Sequence, residues 1–181
     1  MRLVLLDRDG VLNQDRPDSV RTPGDLALIP GAAAAVARLN RSGIKVAIVT
    51  NQSVVGRGIV APAMLERIHD HLRDLLAREG ARIDALLVCT DPPERASDRR
   101  KPGPGMLREA MRGFSTSPGE TVMIGDDLRD LQAAVAAGCR RILVRTGKGA
   151  AVQARGLPAE VLPVAVHEDL AGAVAALLGE A

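Results

Sequence analysis

Short, unbroken apolar runs alternate with longer stretches whose apolar residues recur every three to four positions. Residues 3–6 (Leu-Val-Leu-Leu), 44–49, 85–88, 121–124 and 142–144 form the first group, with Leu162 to Val166 a weaker sixth. Runs of this length without polar alternation suit parallel strands covered on both faces. Helices are expected over 31–41, 62–79, 104–112, 128–137 and roughly 168–178. Several open on proline or close on glycine, as Pro62 and Gly80 do for the second, in keeping with proline's fit to a helix's first turn and glycine's to its end. The order β-α-β-α-β-α-β-α-β-(β)-α predicts an α/β fold, a doubly wound parallel sheet in three α/β/α layers. No repeat, low-complexity tract or linker divides the chain, so residues 1–181 are expected to form a single domain without a large cap.

Composition narrows the function classes. The 181 residues carry 24 basic and 22 acidic side chains, a formal charge of +2, with the basic residues scattered. That gives no electrostatic footprint for nucleic acid or an anionic membrane. Phe114 is the single aromatic residue, so the stacking platforms that read single-stranded nucleic acid are missing. Cys89 and Cys139 are far apart, with no CxxC, and form neither a disulfide framework nor a self-evident metal site. The N-terminal apolar run is too short for a signal-peptide core, and nothing approaches the ~18 apolar residues of a membrane span. A cytoplasmic protein, monomeric by default, is expected.

Three segments, 7–30, 50–61 and 89–103, do not read as regular structure, and each begins where a strand is expected to end. Ligands of open parallel sheets bind at those carboxyl ends, above all where the winding reverses. The loops open Asp7-Arg8-Asp9-Gly10-Val11-Leu12-Asn13, then Thr50-Asn51-Gln52-Ser53. Later come Arg100-Lys101-Pro102 and Gly125-Asp126-Asp127-Leu128-Arg129-Asp130. Singly, each has an ordinary reading: a solvated turn, a helix cap, a charged surface. Together, in this order at successive strand ends, they describe a site. Asp7, Asp9 and Asp126 concentrate negative charge, which is costly without a cation. Hard oxygen ligands of this number suit Mg²⁺, which binds a few carboxylates plus a substrate phosphate. Thr50, Asn51 and Lys101 supply donors and a positive charge for phosphoryl oxygens. Asp7 is then a candidate nucleophile, and Asp9, two residues on, a candidate acid and base. Lys101 is one of three lysines among the 24 basic residues, a compact ammonium in a chain that otherwise uses arginine.

Asp7-x-Asp9-Gly-Val-Leu-Asn, Thr50-Asn-Gln-Ser, Arg100-Lys-Pro-x-Pro-Gly-Met and Gly125-Asp-x-x-x-Asp resemble the four motifs of the haloacid dehalogenase (HAD) superfamily. Their extended forms resemble its D-glycero-D-manno-heptose 1,7-bisphosphate phosphatase branch, whose sister is histidinol-phosphate phosphatase. The similarity runs through Val144-Arg-Thr-Gly-Lys148 to the final helix. It implies Asp7 as nucleophile, Asp9 as acid/base, and Thr50 and Lys101 as phosphoryl stabilisers. It also implies Mg²⁺ on Asp7, the Asp9 backbone carbonyl and Asp126. Substrate contacts map to Asp15, Arg16, Pro17, Asp18, Asn51, Gln52, Ser53, Arg100 and Asp127. The implied reaction is hydrolysis of a small sugar phosphate through an aspartyl-phosphate, foremost heptose 1,7-bisphosphate to heptose 1-phosphate, as in precursors of lipopolysaccharide or capsule. Histidinol phosphate or another small ester is the alternative. A receiver-type signalling domain fits poorly, because Lys101 precedes Asp126 and Asp9 supplies a hydrolytic base; a silent phosphate-binding protein would bind without turnover.

The resemblance breaks in three places. Members of the branch usually hold zinc in the third loop with a Cys-x-His pair and a later Cys-x-Cys; here these read Cys89-Thr90-Asp91 and Ser97-Asp98-Arg99. A tetrahedral zinc site needs a closed set of four ligands, so zinc is not expected, Cys89 reads as a buried apolar residue, and Pro92-Pro93 with local ion pairs must order loop 90–99. Asp127 stands where a lysine is common, an exchange of sign that weakens a contact with a second phosphate or a sugar hydroxyl. Val54 stands where glycine is usual, which narrows the backbone angles.

Overall fold

A computed structural model describes residues 1–179. Six strands, β1 (Leu3–Leu6), β2 (Lys45–Asn51), β3 (Ala85–Cys89), β4 (Thr121–Gly125), β5 (Arg140–Val144) and β6 (Ala165–His167), form one sheet in the order β3-β2-β1-β4-β5-β6. Every pairing is parallel, with Leu3 level with Lys45 on one side and Thr121 on the other. The helices are α1 (Ala32–Arg41), α2 (Ser53–Gly56), α3 (Pro62–Arg78), α4 (Gly105–Gly113), α5 (Leu128–Ala137), α6 (Gly149–Ala154) and α7 (Leu170–Leu178). No helix among the described residues is long and apolar enough to cross a membrane.

The two faces of the sheet explain why its strands read as continuous apolar runs. Successive side chains of a strand point to opposite faces, so β1 sends Val4 and Leu6 one way and Leu3 and Leu5 the other. Val4 and Leu6 join a buried layer with Val36 and Leu39 of α1, Ile68 and Leu72 of α3, and Val174 of α7. Leu3 and Leu5 join Met106 and Leu107 of α4 and Ala133 and Ala134 of α5. The helices of the β1→β2→β3 winding thus lie on one face, and those following β3 and β4 on the other. That is the outcome of right-handed crossovers when the direction of winding reverses.

The reversal falls between β1 and β4, which are hydrogen-bonded neighbours far apart in sequence. Loops leaving their carboxyl ends must diverge to opposite sides, and a crevice opens between them. Asp7 directly follows β1 and Asp126 directly follows β4.

Two expectations about elements need correction. The sixth strand is 165–167 rather than 162–166: Val161 is the buried residue there, Leu162 is half exposed, and Pro163, which offers no N–H to a ladder, precedes the strand. Part of segment 50–61 is helical, since α2 occupies Ser53–Gly56. Val54 lies inside that helix, buried, in a conformation open to any residue, so its replacement of glycine imposes no backbone restriction.

Candidate active site

The crevice encloses a cavity of about 160 Å³ lined mainly by polar side chains from all four loops. At its floor Asp7, Asp126 and Asp130 bring carboxylate oxygens within 4.8 Å of one another. The Lys101 ammonium, almost wholly buried, lies 2.7 Å from Asp130 Oδ1 and 3.0 Å from Asp7 Oδ1. Burial alone would lower the pKa of Lys101, but Asp130 and then Asp7 outweigh it and raise it, so the lysine stays cationic. An ammonium held this way is a fixed point charge at the mouth of the strands.

Lys101 is aimed by two devices. The first is Asn51 at the end of β2, whose Nδ2 donates to the Lys101 carbonyl (3.0 Å) and whose Oδ1 accepts from the Lys101 N–H (3.1 Å). One N–H of this amide is therefore committed to the backbone of the third loop, and the second remains available to an anion in the cavity that Asn51 lines. The second is Asp130, which the sequence reading left out of the site. Asp127 N-caps α5, accepting from the Arg129 N–H, while Asp130 Oδ2 accepts from the Asp127 N–H at 3.0 Å. One oxygen of Asp130 completes this reciprocal cap and the other holds Lys101. Gly125 makes the packing possible, because a Cβ there would fall 2.3 Å from Asp130 Oδ2.

The donor set fits a divalent cation. Burial first, then the charges of Asp7 and Asp130, push Asp126 up to about 8 despite the Lys148 N–H that donates to it at 2.8 Å. Asp7 is pushed up to about 7, again by burial first; Lys101 opposes this, and Asp130 and Asp9 add to it. Two carboxylates driven toward neutrality by crowding are what a hard cation relieves. Gly10 leaves the room: its φ is +81°, and a Cβ would lie 2.1 Å from Asp126 Oδ2. Asp7 and Asp126 are the side chains that would hold Mg²⁺; Asp130 is already bound to Lys101 and the α5 cap.

Asp9 lies in a different environment. Its carboxylate accepts from Arg8, from Asn13 Nδ2 (2.9 Å) and from Gln52 Nε2 (2.8 Å). Burial raises its pKa, but the Arg8 charge and these hydrogen bonds outweigh burial and lower it. Gln52 Nε2 also donates to Thr50 Oγ1 at 2.8 Å, which leaves the buried Thr50 hydroxyl proton free for another acceptor.

Among the expected substrate-binding residues, Asp15, Asn51, Gln52, Ser53, Arg100 and Asp127 line the cavity. Arg16, Pro17 and Asp18 do not. Arg16 pairs with Asp18 (3.3 Å) and Asp25 (3.9 Å), and all of 16–18 faces solvent beside the opening. From that segment Ser19 reaches the cavity instead. Arg129 and Lys148 are further lining residues that sequence reasoning missed, although Lys148 was visible as a rare lysine in the Val144-Arg-Thr-Gly-Lys148 stretch. They bear on Asp127, whose carboxylate meets Arg129 Nη2 at 2.7 Å and Lys148 Nζ at 3.7 Å. Burial pushes Asp127 up, but Arg129, aided by Lys148, brings it down to about 2. The exchange of sign at 127 is thus met by two cations in contact with it.

In the third loop, Asp91 Oδ2 accepts from the Ser97 N–H at 2.9 Å and from the Ser97 hydroxyl, and its carbonyl accepts from Arg100 Nη1 at 2.8 Å. Arg99 pairs with Glu109 of α4. Hydrogen bonds across the loop, a turn at Pro93–Arg95 and the Arg99–Glu109 ion pair therefore order it; the hydrogen bonds add to the prolines and local ion pairs expected there. Cys89 is buried and free, and burial raises its pKa.

Residues 98–173 match a family model described as HAD-hydrolase-like. The chain is 42% identical to the D-glycero-β-D-manno-heptose-1,7-bisphosphate 7-phosphatase of Bordetella bronchiseptica over the full length of both. It is 39% identical to the Pseudomonas aeruginosa enzyme of the same name, over 97% of each. Its structure matches the B. bronchiseptica D,D-heptose 1,7-bisphosphate phosphatase complexed with magnesium and phosphate, with a TM-score of 0.93 across all of both chains. It also matches the corresponding phosphatase of Burkholderia thailandensis, at 36% identity and a TM-score of 0.76 over 98% of this chain and 99% of that one.

Proposed function

The chain belongs to the heptose 1,7-bisphosphate 7-phosphatase family of HAD-like hydrolases, and on that footing we infer that it hydrolyses a phosphate monoester by way of Asp7. The substrate is D-glycero-D-manno-heptose 1,7-bisphosphate, which loses its 7-phosphate to leave heptose 1-phosphate. The observation that carries this reading is Lys101, buried between Asp7 and Asp130 beside the crowded carboxylate of Asp126. Nucleophile, point charge and cation ligands share one small cavity.

Asp7 attacks phosphorus in line with the departing sugar oxygen, and an Asp7 Oδ–P bond forms as the sugar O–P bond breaks. Asp9, ionised in the free site, takes up a proton when the phosphate dianion binds beside it. It gives that proton to the leaving oxygen, then takes one from the water that attacks the aspartyl-phosphate, so carboxylate and phosphate are both regenerated. Lys101 and the free Thr50 proton stabilise the charge gathering on the phosphoryl oxygens, in a pocket where such contacts need no rearrangement. Asp7, the Asp9 carbonyl and Asp126 would hold Mg²⁺, which when bound would supply further positive charge to those oxygens. Asn51 aims Lys101 with one N–H and has the other for a phosphoryl oxygen, and Gln52 links Thr50 to Asp9. Arg100, with one guanidinium N–H committed to the Asp91 carbonyl, is the partner for the distal phosphate, with Arg129 and Lys148 close by. Zinc has no part, since Cys89 is the one thiol at the third-loop ligand positions and Asp91 and Ser97 are bonded to each other.

Phosphate release from heptose 1,7-bisphosphate and from histidinol phosphate, each with Mg²⁺ or EDTA, tests the reading. It predicts turnover of the bisphosphate at least about tenfold above histidinol phosphate in kcat/KM, a preference of about 1.4 kcal/mol, with activity lost in EDTA. Preference for histidinol phosphate, or metal-independent turnover, would overturn it.

A further inference from the structure

Arg8 is the largest polar side chain with no exposed surface, and nothing in the reaction above uses it. It lies between the two aspartates of the first loop, yet its side chain runs inward under α3. Nη2 donates to Oδ1 and Oδ2 of Asp9, both at 2.9 Å, and to Gln52 Oε1 at 3.2 Å. Nε adds a 3.3 Å contact to Asp9 Oδ1. Nη1 lies 3.2 Å from Nε2 of His69, a fully buried residue of α3. Because Nη1 can only donate, Nε2 accepts and the ring proton sits on Nδ1.

A guanidinium is expensive to bury, and where packing alone is needed an apolar side chain of similar volume does as well or better. Arg8 is also shut off from the cavity, so it cannot bind a phosphate. Its contacts instead converge on one carboxylate, which retains about a quarter of its own surface on the cavity side. Gln52, itself held by Arg8, carries the same network to Thr50. We propose that Arg8, seated by His69 and Gln52, is a positioning residue that grips Asp9 from behind and fixes its direction toward the leaving oxygen. The inference rests on Asp9 being the acid and base of the reaction.

The test separates positioning from simple support of the fold. The ratio kcat/KM covers steps up to departure of the leaving group. A sugar alkoxide needs the Asp9 proton as its O–P bond breaks, whereas p-nitrophenolate leaves without one. General acid catalysis is worth about 10²–10⁴-fold. Arg8→Met should therefore lower kcat/KM for heptose 1,7-bisphosphate by about 10²-fold while leaving that for p-nitrophenyl phosphate within about threefold, and Asp9→Asn should show the same bias more strongly. Equal losses on both esters in Arg8→Met, or none, with the bias present in Asp9→Asn, would overturn the role of Arg8 alone. Absence of the bias in Asp9→Asn would overturn the acid/base reading and this inference with it. Should Arg8→Met fail to fold, Arg8→Lys retains the charge without the paired contacts to Asp9 and should show a bias between wild type and Asp9→Asn; no bias there would count equally against the role.

Discussion

Asp7, Asp9 and Asp126 stood out in the sequence because carboxylates straight after apolar strands have no structural reason to gather. Arg8 and His69 gave no such signal. An arginine between two aspartates reads as solvated surface, and a histidine amid charged helical residues reads the same way; burial by α3 is a tertiary fact that no local spacing reports. Its consequence is measurable. Burial first, then the Arg8 charge, depress His69 from an ordinary 6.5 to about 4. Between those values the unfolded chain carries a proton that the folded protein excludes, so stability is full above pH 6.5 and falls as pH drops toward 4. The effect is of the order of 3 kcal/mol at about 1.4 kcal/mol per pH unit. Denaturant melts at pH 7 and 4.5 should show His69→Gln losing less stability over that interval than wild type; equal losses would contradict a neutral His69.

Strands such as β1 and β4 were legible as elements because they are buried on both faces, whereas β6, with no fully buried residue, gave the weakest signal. The five long helices were legible through their periodicity and end residues. The short α2 and α6 were not, since a single turn or two carries too few positions to show a period. The start of α5 was only half legible. Gly125-Asp126-Asp127 does precede a helix cap, but the spacing does not reveal that the acid at 130 also grips a lysine from another crossover. Asp127 capping predicts that Asp127→Ala costs about 1 kcal/mol. That corresponds to a fall in Tm of about 2–4 °C for a chain of this size. Because the same change releases Arg129 and Lys148, KM for the bisphosphate should move more than kcat. An unchanged melting curve would remove Asp127 from the cap.

Across the protein, the reversal of winding between β1 and β4 gathers what the sequence disperses over more than a hundred residues. Topology of this kind follows from the order of elements and right-handed crossovers, which is why the site could be located before its geometry was known. Which side chains of the 14–19 loop face the crevice could not be, because that loop lacks a repeating pattern, and Ser19 rather than Arg16–Asp18 lines it. If the crowded carboxylates of Asp7 and Asp126 hold Mg²⁺ as proposed, the ion also stabilises the fold. At 100 times its dissociation constant a ligand adds about 2.7 kcal/mol, or about 5–10 °C in Tm. Wild type should gain this on adding Mg²⁺ and Asp126→Asn should not; equal gains would place the ion elsewhere.

The proposed mechanism turns on transfer of phosphorus to Asp7. Rapid acid quenching of the enzyme during turnover of heptose 1,7-bisphosphate, followed by peptide mass spectrometry, detects that bond directly. A phosphoryl group on Asp7, formed and lost at the rate of turnover and absent from Asp7→Asn, is the predicted result. Continued phosphate release by Asp7→Asn with no phosphorylated peptide would contradict it.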